Sequence, residues 1–166
     1  MSFEEALRVS EELLQQLEEN SDCNEARGLL QSMLGDMAGC RGFFVTYLTG
    51  DSPLADEPPG FFIEFMKASP HAAELLAKNL VMSTCMKLSH ERKAELQLAE
   101  GSALVAKRSA LICRLMKSDD LKLRLKEMRA SLKTKAGIYA DFIRRWNYDD
   151  EQLSLAAASI AELLDS

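Results

Sequence analysis

Few side chains in this sequence have the types and the spacing that catalysis requires. The histidines are His71 and His90, and a catalytic imidazole needs an orienting carboxylate and a nucleophile within reach. On a continuous helix, Glu91 and Glu95 point away from His90, and Cys85 lies about 140° around the axis from it. No G-x-S-x-G, P-loop, G-x-G-x-x-G, H-E-x-x-H or EF-hand pattern occurs. We therefore predict no catalytic residue, no cofactor and no enzymatic activity.

The cysteine spacing argues against a structural metal site. Cys23, Cys40, Cys85 and Cys113 are separated by 17, 45 and 28 residues, so no C-x-x-C pair is present. A chain of this length can bury a core without disulfides, and nothing in the composition indicates secretion. We expect four reduced, mostly buried thiols and no bound metal.

A polar arc interrupts the most apolar segment, residues 70–88 and the turn that follows. Asn79, Ser83 and His90 fall on one side of a helix. A buried polar group without a hydrogen bond costs about 1 to 3 kcal/mol, so three in one arc indicate partners. The arc predicts bonds to neighbouring helices, a polar dimer contact or a ligand pocket, although Ser83 can also bond to the carbonyl one turn back.

One heptapeptide pattern, G-F-F-aliphatic-polar-aromatic-aliphatic, occurs at residues 42–48 and again at 60–66. Helices are favoured over strands because every other segment has a period of 3.6 residues. The candidate aromatic residues are Phe43, Phe44, Tyr47, Phe61, Phe62 and Phe65. They either pack into the core or line a groove for an apolar ligand or a partner helix. Arg41 then forms a salt bridge to Asp36 or a loop acid, or serves as a charged handle at the groove mouth.

A strongly basic region lies between residues 107 and 135, which contain ten bases and three acids. Its clearest feature is a row of bases at spacings of four, three and four, which places Lys122, Lys126, Arg129 and Lys133 on one face of a helix. We call these four residues the basic stripe. The stripe is solvated or paired within the chain, or binds an acidic protein, or binds nucleic acid or membrane. The pI near 5.0 makes nucleic acid the weakest of these alternatives.

The charge is distributed unevenly along the chain. Residues 1–66 carry thirteen acids and three bases, whereas residues 67–166 carry seventeen bases and thirteen acids. Opposite charges of −10 and +4 favour attraction within the fold or across a symmetric dimer. No apolar run is long enough for a membrane span, and the first twenty residues are acidic, so we expect a cytoplasmic protein.

The elements that must position these groups are helices. The spacing predicts one all-α domain over residues 1–166, a bundle of about six to eight helices around an apolar central helix at about 70–88, with one acidic proline-rich loop at 49–60. Ser2 with Glu5 forms a capping box, and Ser69 and Ser118 are further N-caps. Residues 70–117 form one helix, or two with a break near Leu88-Ser89 or Gly101.

These observations favour a non-enzymatic helical interaction protein, a regulator, assembly factor or scaffold subunit, that binds a protein partner and self-associates. One alternative is a small-molecule carrier or sensor with its pocket between the aromatic segments 43–48 and 61–66 and the polar arc. A further alternative is nucleic-acid binding through the basic region 107–135.

Overall fold

The protein is all-α, which confirms the predicted fold class. A computed structural model describes residues 1–166 and contains nine α-helices and no strand. The helices are α1 (Phe3–Glu19), α2 (Asn24–Gly35), α3 (Met37–Thr49), α4 (Gly60–Ala68), α5 (Ala72–Arg92), α6 (Leu96–Met116), α7 (Asp119–Thr134), α8 (Ala140–Trp146) and α9 (Asp150–Asp165). A 3-10 turn, Pro53–Ala55, lies in the acidic loop. The count exceeds eight because both aromatic segments are helical and residues 70–117 form two helices.

The chain divides into two compact units, residues 1–75 and 76–166. The first unit holds α1 to α4 and the first turn of α5, and the second holds the remainder of α5 and α6 to α9. The single domain expected over residues 1–166 stays a prediction, and each unit has buried apolar side chains of its own. None of the nine helices combines the length and the apolar composition that a membrane crossing needs.

Local sequence explains how the first unit begins. The Ser2 hydroxyl accepts a hydrogen bond from the Glu5 amide at 3.1 Å, and the Glu5 carboxylate accepts one from the Ser2 amide, which completes the predicted capping box. Helix α1 then buries one face, which is formed by Ala6, Ser10, Leu13, Leu14 and Leu17. This face packs against α2 and α3. Because the amphipathic period was clear, both the start and the end of α1 were predictable.

Helices α1 and α3 approach closely at Gly42, the glycine of the first aromatic motif. A Cβ atom at position 42 would lie 2.4 Å from the Ala6 Cβ and 3.1 Å from the Ala6 carbonyl carbon. These atoms belong to or adjoin the α1 backbone, so no side-chain rotation relieves the overlap. The glycine of the second motif, Gly60, has open space around it. The two motifs therefore share a glycine for different reasons.

We expect Gly42→Ala to destabilise the protein by about 1 to 2 kcal/mol, because overpacking costs about 1 to 3 kcal/mol and improved helix propensity offsets part of it. Gly28→Ala is the matched control, since this helical glycine also has open space around it and the change should stabilise slightly. Chemical denaturation measures both. Ala6→Gly should rescue Gly42→Ala, and equal effects at positions 28 and 42 would contradict the close approach.

In the second unit, α5 ends at Arg92, about one turn later than expected. The Glu95 amide donates to the His90 carbonyl at 2.9 Å and the Ala94 amide donates to the Glu91 carbonyl at 3.1 Å, which is the Schellman arrangement. Ala94 has a left-handed backbone, with φ of 56°. The predicted breaks near Leu88-Ser89 and at Gly101 are both wrong. Glycine normally occupies this left-handed position, so an alanine there gives no sequence signal.

Helices α6 to α9 complete the second unit, where α7 packs against α8 and α9. The Ser118 hydroxyl accepts from the Leu121 amide at 3.3 Å, as predicted for the start of α7. The dry face of α7 is formed by Leu121, Leu125, Met128, Ser131 and Leu132. Since this face is buried, the basic stripe on the same helix is turned outward.

Candidate functional site

Four of the six candidate aromatic residues form the core of the first unit. Phe43, Phe44, Tyr47 and Phe62 are at most 1% exposed. The Phe43 ring stacks on Tyr47 with 5.1 Å between centroids and meets Phe62 edge-on at 6.1 Å. Such pairs contribute about 0.5 to 1.5 kcal/mol beyond the area that they bury. The helical prediction for both motifs is confirmed, and these four side chains are core rather than the lining of an open groove.

The other two aromatic residues are half-buried at the edge of this core. Phe61 meets Phe62 and Phe65 edge-on, with centroids 5.0 and 5.8 Å apart. The Arg27 guanidinium lies 3.9 Å above the Phe61 ring, while its nitrogens donate to the Ser21 carbonyl and the Asp22 carboxylate. A cation held over an aromatic face stabilises by about 0.5 to 1 kcal/mol at an exposed site. Phe61 is therefore covered by the chain's own arginine.

The acidic loop is anchored by the aromatic core. The Tyr47 hydroxyl donates a hydrogen bond to the Leu54 carbonyl at 2.6 Å, in the middle of the 3-10 turn. The adjacent Ala55 is fully buried, and Ser52 caps the turn through the Leu54 amide. The loop between the two motifs is thus held at one place on the first unit.

Arg41 does not make the salt bridge to Asp36 that was one of its predicted roles. The Asp36 carboxylate accepts from the Gly39 amide at 2.8 Å and caps α3. The exposed Arg41 guanidinium instead lies 5.3 Å from the centroid of the Phe3 ring on α1. The Asp36 carboxylate is used as an N-cap because it satisfies a backbone amide of the first turn that would otherwise be unpaired.

Of the polar arc of α5, Ser83 bonds within its own helix, whereas the buried His90 Nδ1 has no hydrogen-bond partner. The Ser83 hydroxyl donates to the Asn79 carbonyl at 2.6 Å, which is the bond to the preceding turn that was expected as an alternative. Asn79 itself is half-buried. His90 Nδ1 lies 3.7 Å from a carboxylate oxygen of Glu95. The expectation that Glu95 points away from His90 is wrong, because α5 ends between them and the chain turns back.

A hydrogen-bonded cross-link that the sequence did not reveal joins α5 to α9. The Gln152 side-chain amide donates to the Cys85 carbonyl at 2.9 Å and to the Ser89 hydroxyl at 2.8 Å. Its oxygen accepts from the Asp149 amide at 3.0 Å, which completes a second capping box. Gln152 is 5% exposed, and all three polar positions of its amide are used. The cross-link fixes the start of α9 on α5.

An exposed ion-pair network reinforces the same junction. Arg92, at the end of α5, pairs with Asp149 at 2.5 Å and with Glu151 at 2.6 Å. The hydrogen bond from Arg92 holds the pKa of the Asp149 carboxyl below its usual range. A carboxylate with a lowered pKa stabilises the fold above the unfolded-state pKa, and that contribution is lost as the pH falls through the folded-state value.

All four cysteines are free thiols, as predicted. Burial raises the pKa of the Cys40, Cys85 and Cys113 thiols to about 12. Cys23 is half-buried. Because the thiolate is the reactive form, the three buried cysteines are poor nucleophiles at neutral pH. No group of three or more histidine, cysteine, aspartate or glutamate side chains is placed to hold a metal ion.

We expect one thiol of the folded protein to react rapidly with a disulfide reagent and all four to react after unfolding. A pKa near 12 lowers the thiolate fraction about a thousandfold relative to an ordinary cysteine, and burial blocks access as well. The time course of the reaction with a chromogenic disulfide reagent, in native buffer and in guanidinium, counts the rapid and slow thiols. Cys23→Ser should abolish the rapid phase, and a second rapid thiol in the native protein would contradict the burial.

The basic stripe forms an exposed charged face on α7. Lys122, Lys126 and Lys133 are exposed and Arg129 is half-buried, and none of the four makes an ion pair. Other bases of the region do have partners: Arg124 pairs with Asp120 and Lys135 with Asp150. Four neighbouring cations without counter-charges repel one another and raise the local potential. The stripe is therefore an exposed, positively charged face without ion pairs.

An apolar groove adjoins the start of the stripe. It encloses ≈ 430 Å³ between α6, α7 and α9, with Cys113, Leu121 and Leu125 among its lining residues. Arg114, Lys117 and Lys122 supply bases to the same lining. Arg114 and Lys117 are not part of the stripe, but they belong to the predicted basic region 107–135. Their place at a groove was not predictable, because the wall from α9 comes from residues more than forty positions away.

Almost the whole chain matches one protein family. Residues 2–163 match the family described as Uncharacterised conserved protein UCP020893. The chain belongs to this family. No curated protein and no solved structure matches the chain. The family description gives no activity.

Proposed function

We propose that this family member is a non-enzymatic cytoplasmic interaction protein that binds an acidic surface of a protein partner through the basic stripe of α7. The observation that carries the proposal is the set of four neighbouring bases, three of them exposed, that make no ion pair within the chain. Free cysteines are usual in reducing compartments, which supports the cytoplasmic location.

Magnitudes indicate what such a partner must offer. An exposed ion pair contributes about 0 to 1 kcal/mol, so the stripe mainly speeds association and selects the partner. An apolar side chain that becomes fully buried contributes about 1.5 to 3 kcal/mol. A partner with acidic residues next to an apolar anchor would use both the stripe and the groove beside it.

The test is a charge reversal with a matched control. Lys126→Glu with Lys133→Glu reverses two bases of the stripe, and Lys93→Glu with Lys107→Glu makes the same charge change at exposed lysines outside it. We expect quantitative affinity capture from native extract to lose its specific partners with the first variant and keep them with the second. Identical partner sets for both variants would overturn the proposal.

Nucleic-acid binding is tested by the same variants. It predicts that wild-type affinity for duplex DNA falls steeply with salt and that nuclease treatment removes the captured partners. Binding to DNA that persists at physiological salt and depends on Lys126 and Lys133 would replace the protein partner by nucleic acid.

Small-molecule carriage has less support. Several residues predicted to line the pocket have other contacts. Phe43, Tyr47 and Phe62 are buried in the core of the first unit, and the Ser83 hydroxyl bonds within α5. A ligand detected by native mass spectrometry of the purified protein, with a matching rise in melting temperature, would favour carriage instead.

A further inference from the structure

A groove in the first unit is lined by acidic and apolar side chains. It encloses ≈ 450 Å³ between α1 and α3, and the start of the acidic loop closes one end. Its α1 wall follows spacings of four, three and four, with Leu7, Glu11, Leu14 and Glu18. Val45 of α3 also lines the groove and is 44% exposed. Neither Glu11 nor Glu18 makes an ion pair, and Arg8 pairs with Glu12 outside the groove.

The exposed face of α7 carries a complementary pattern. Alternating apolar and basic side chains follow spacings of three, four and three, namely Leu123, Lys126, Ala130 and Lys133. Leu123 is 52% exposed although it lies on a helix whose other leucines are buried. The two basic residues belong to the stripe and have no ion pair within the chain.

The two patterns have the same axial repeat. Glu11 and Glu18 are seven residues apart, as are Lys126 and Lys133, so each charged pair spans about 10.5 Å along its helix. In a parallel arrangement the acids oppose the bases, while Leu123 and Ala130 oppose the apolar positions of α1.

Resting on the proposed function, we infer that the acidic protein surface bound by the stripe is the α1–α3 groove of a second copy of this chain. Leu123 enters beside Val45, and Lys126 and Lys133 pair with the glutamates of the groove wall. Each copy carries both surfaces, so the contact is made twice in a two-fold dimer or once per copy in a head-to-tail assembly. Both forms weaken as salt screens the exposed charges.

The experiment measures molar mass by light scattering during gel filtration. At about 100 mM salt or less, where the Debye length is about 10 Å, wild-type protein should show at least twice the 18.5 kDa mass of one chain. At about 1 M salt it should approach the mass of one chain. The reversals Glu11→Lys with Glu18→Lys, and Lys126→Glu with Lys133→Glu, should each weaken association at least tenfold.

Mixing the two reversed variants provides the decisive arm. Each acid-to-base groove then meets a base-to-acid stripe, and the remaining pair of surfaces is wild type, so association should return in the equimolar mixture alone. Glu19→Lys with Glu25→Lys is the control outside the groove and should leave association intact. Circular dichroism of every variant keeps loss of association separate from loss of folding.

The outcomes separate this inference from the proposed function. A wild-type monomer at low salt whose extract partners still depend on Lys126 and Lys133 overturns the dimer and leaves the stripe as a binding surface for another protein. Failure of the mixture to associate overturns the assigned groove. If neither the molar mass nor the set of captured partners changes with the reversals, the proposed function and the self-association are both overturned.

Discussion

Phe43→Ala should lower the free energy of unfolding by about 3 to 5 kcal/mol, which is the usual cost of deleting a buried aromatic side chain. Phe43 is fully buried and touches three other rings, those of Phe44, Tyr47 and Phe62. Its loss leaves a cavity and removes ring contacts that no neighbour can replace. Because whole domains are stable by about 5 to 15 kcal/mol, the variant should be near the limit of folding.

Phe65→Ala is the matched control in the second aromatic motif. Phe65 is half-buried and meets only the Phe61 ring, so we expect a loss of about 1 kcal/mol. Guanidinium denaturation followed by far-ultraviolet circular dichroism compares the two. Equal losses at positions 43 and 65 would show that the motifs contribute equally and that the core is not centred on the first.

Gln152→Glu should destabilise the protein by about 3 kcal/mol at neutral pH, because it places a carboxylate against the Cys85 carbonyl in a buried site. The capping bond from the Asp149 amide survives, so the change isolates the donor half of the amide. The fluorescence of Trp146, the one tryptophan of the chain, follows unfolding of the second unit.

The sign of the pH dependence follows from the protonation state. Burial raises the folded-state pKa of the new carboxyl above the unfolded value of about 4.3, so the penalty is absent below that pH and grows as the pH rises through it. The variant should therefore approach wild-type stability near pH 4. Gln97→Glu, at an exposed helical position, should differ little from wild type at either pH. A penalty that is the same at pH 4 and pH 7 would contradict the donor role.

The helical class and several helix ends were predictable because they depend on local chemistry. The capping box at Ser2 and the cap at Ser118 involve residues three positions apart, and the sequence displays both partners. The end of α5 was not predictable, because Ala94 adopts a left-handed backbone that costs an alanine about 1 to 2 kcal/mol. The two hydrogen bonds of the Schellman turn offset that cost.

The candidate functional surfaces were predictable only where one helix contains them. The basic stripe follows from spacing along α7, and the structure shows it outward-facing and unpaired. The cross-link from Gln152 to Cys85 joins residues 67 positions apart and uses a backbone carbonyl, which has no sequence signature. The different roles of Gly42 and Gly60 likewise depend on which helix lies opposite each motif.

The anchor between Tyr47 and Leu54 changes how the acidic loop behaves as a polymer. Residues 50–59 form one connection in the sequence, but the bond to the Leu54 carbonyl divides it into two short spans. The entropic free-energy cost of closing a flexible loop increases by only about 0.6 kcal/mol for each doubling of its length. Residues inserted after Asp56 would lengthen the second span alone, so the first span would keep its closure entropy and the chain would keep its path out of α3.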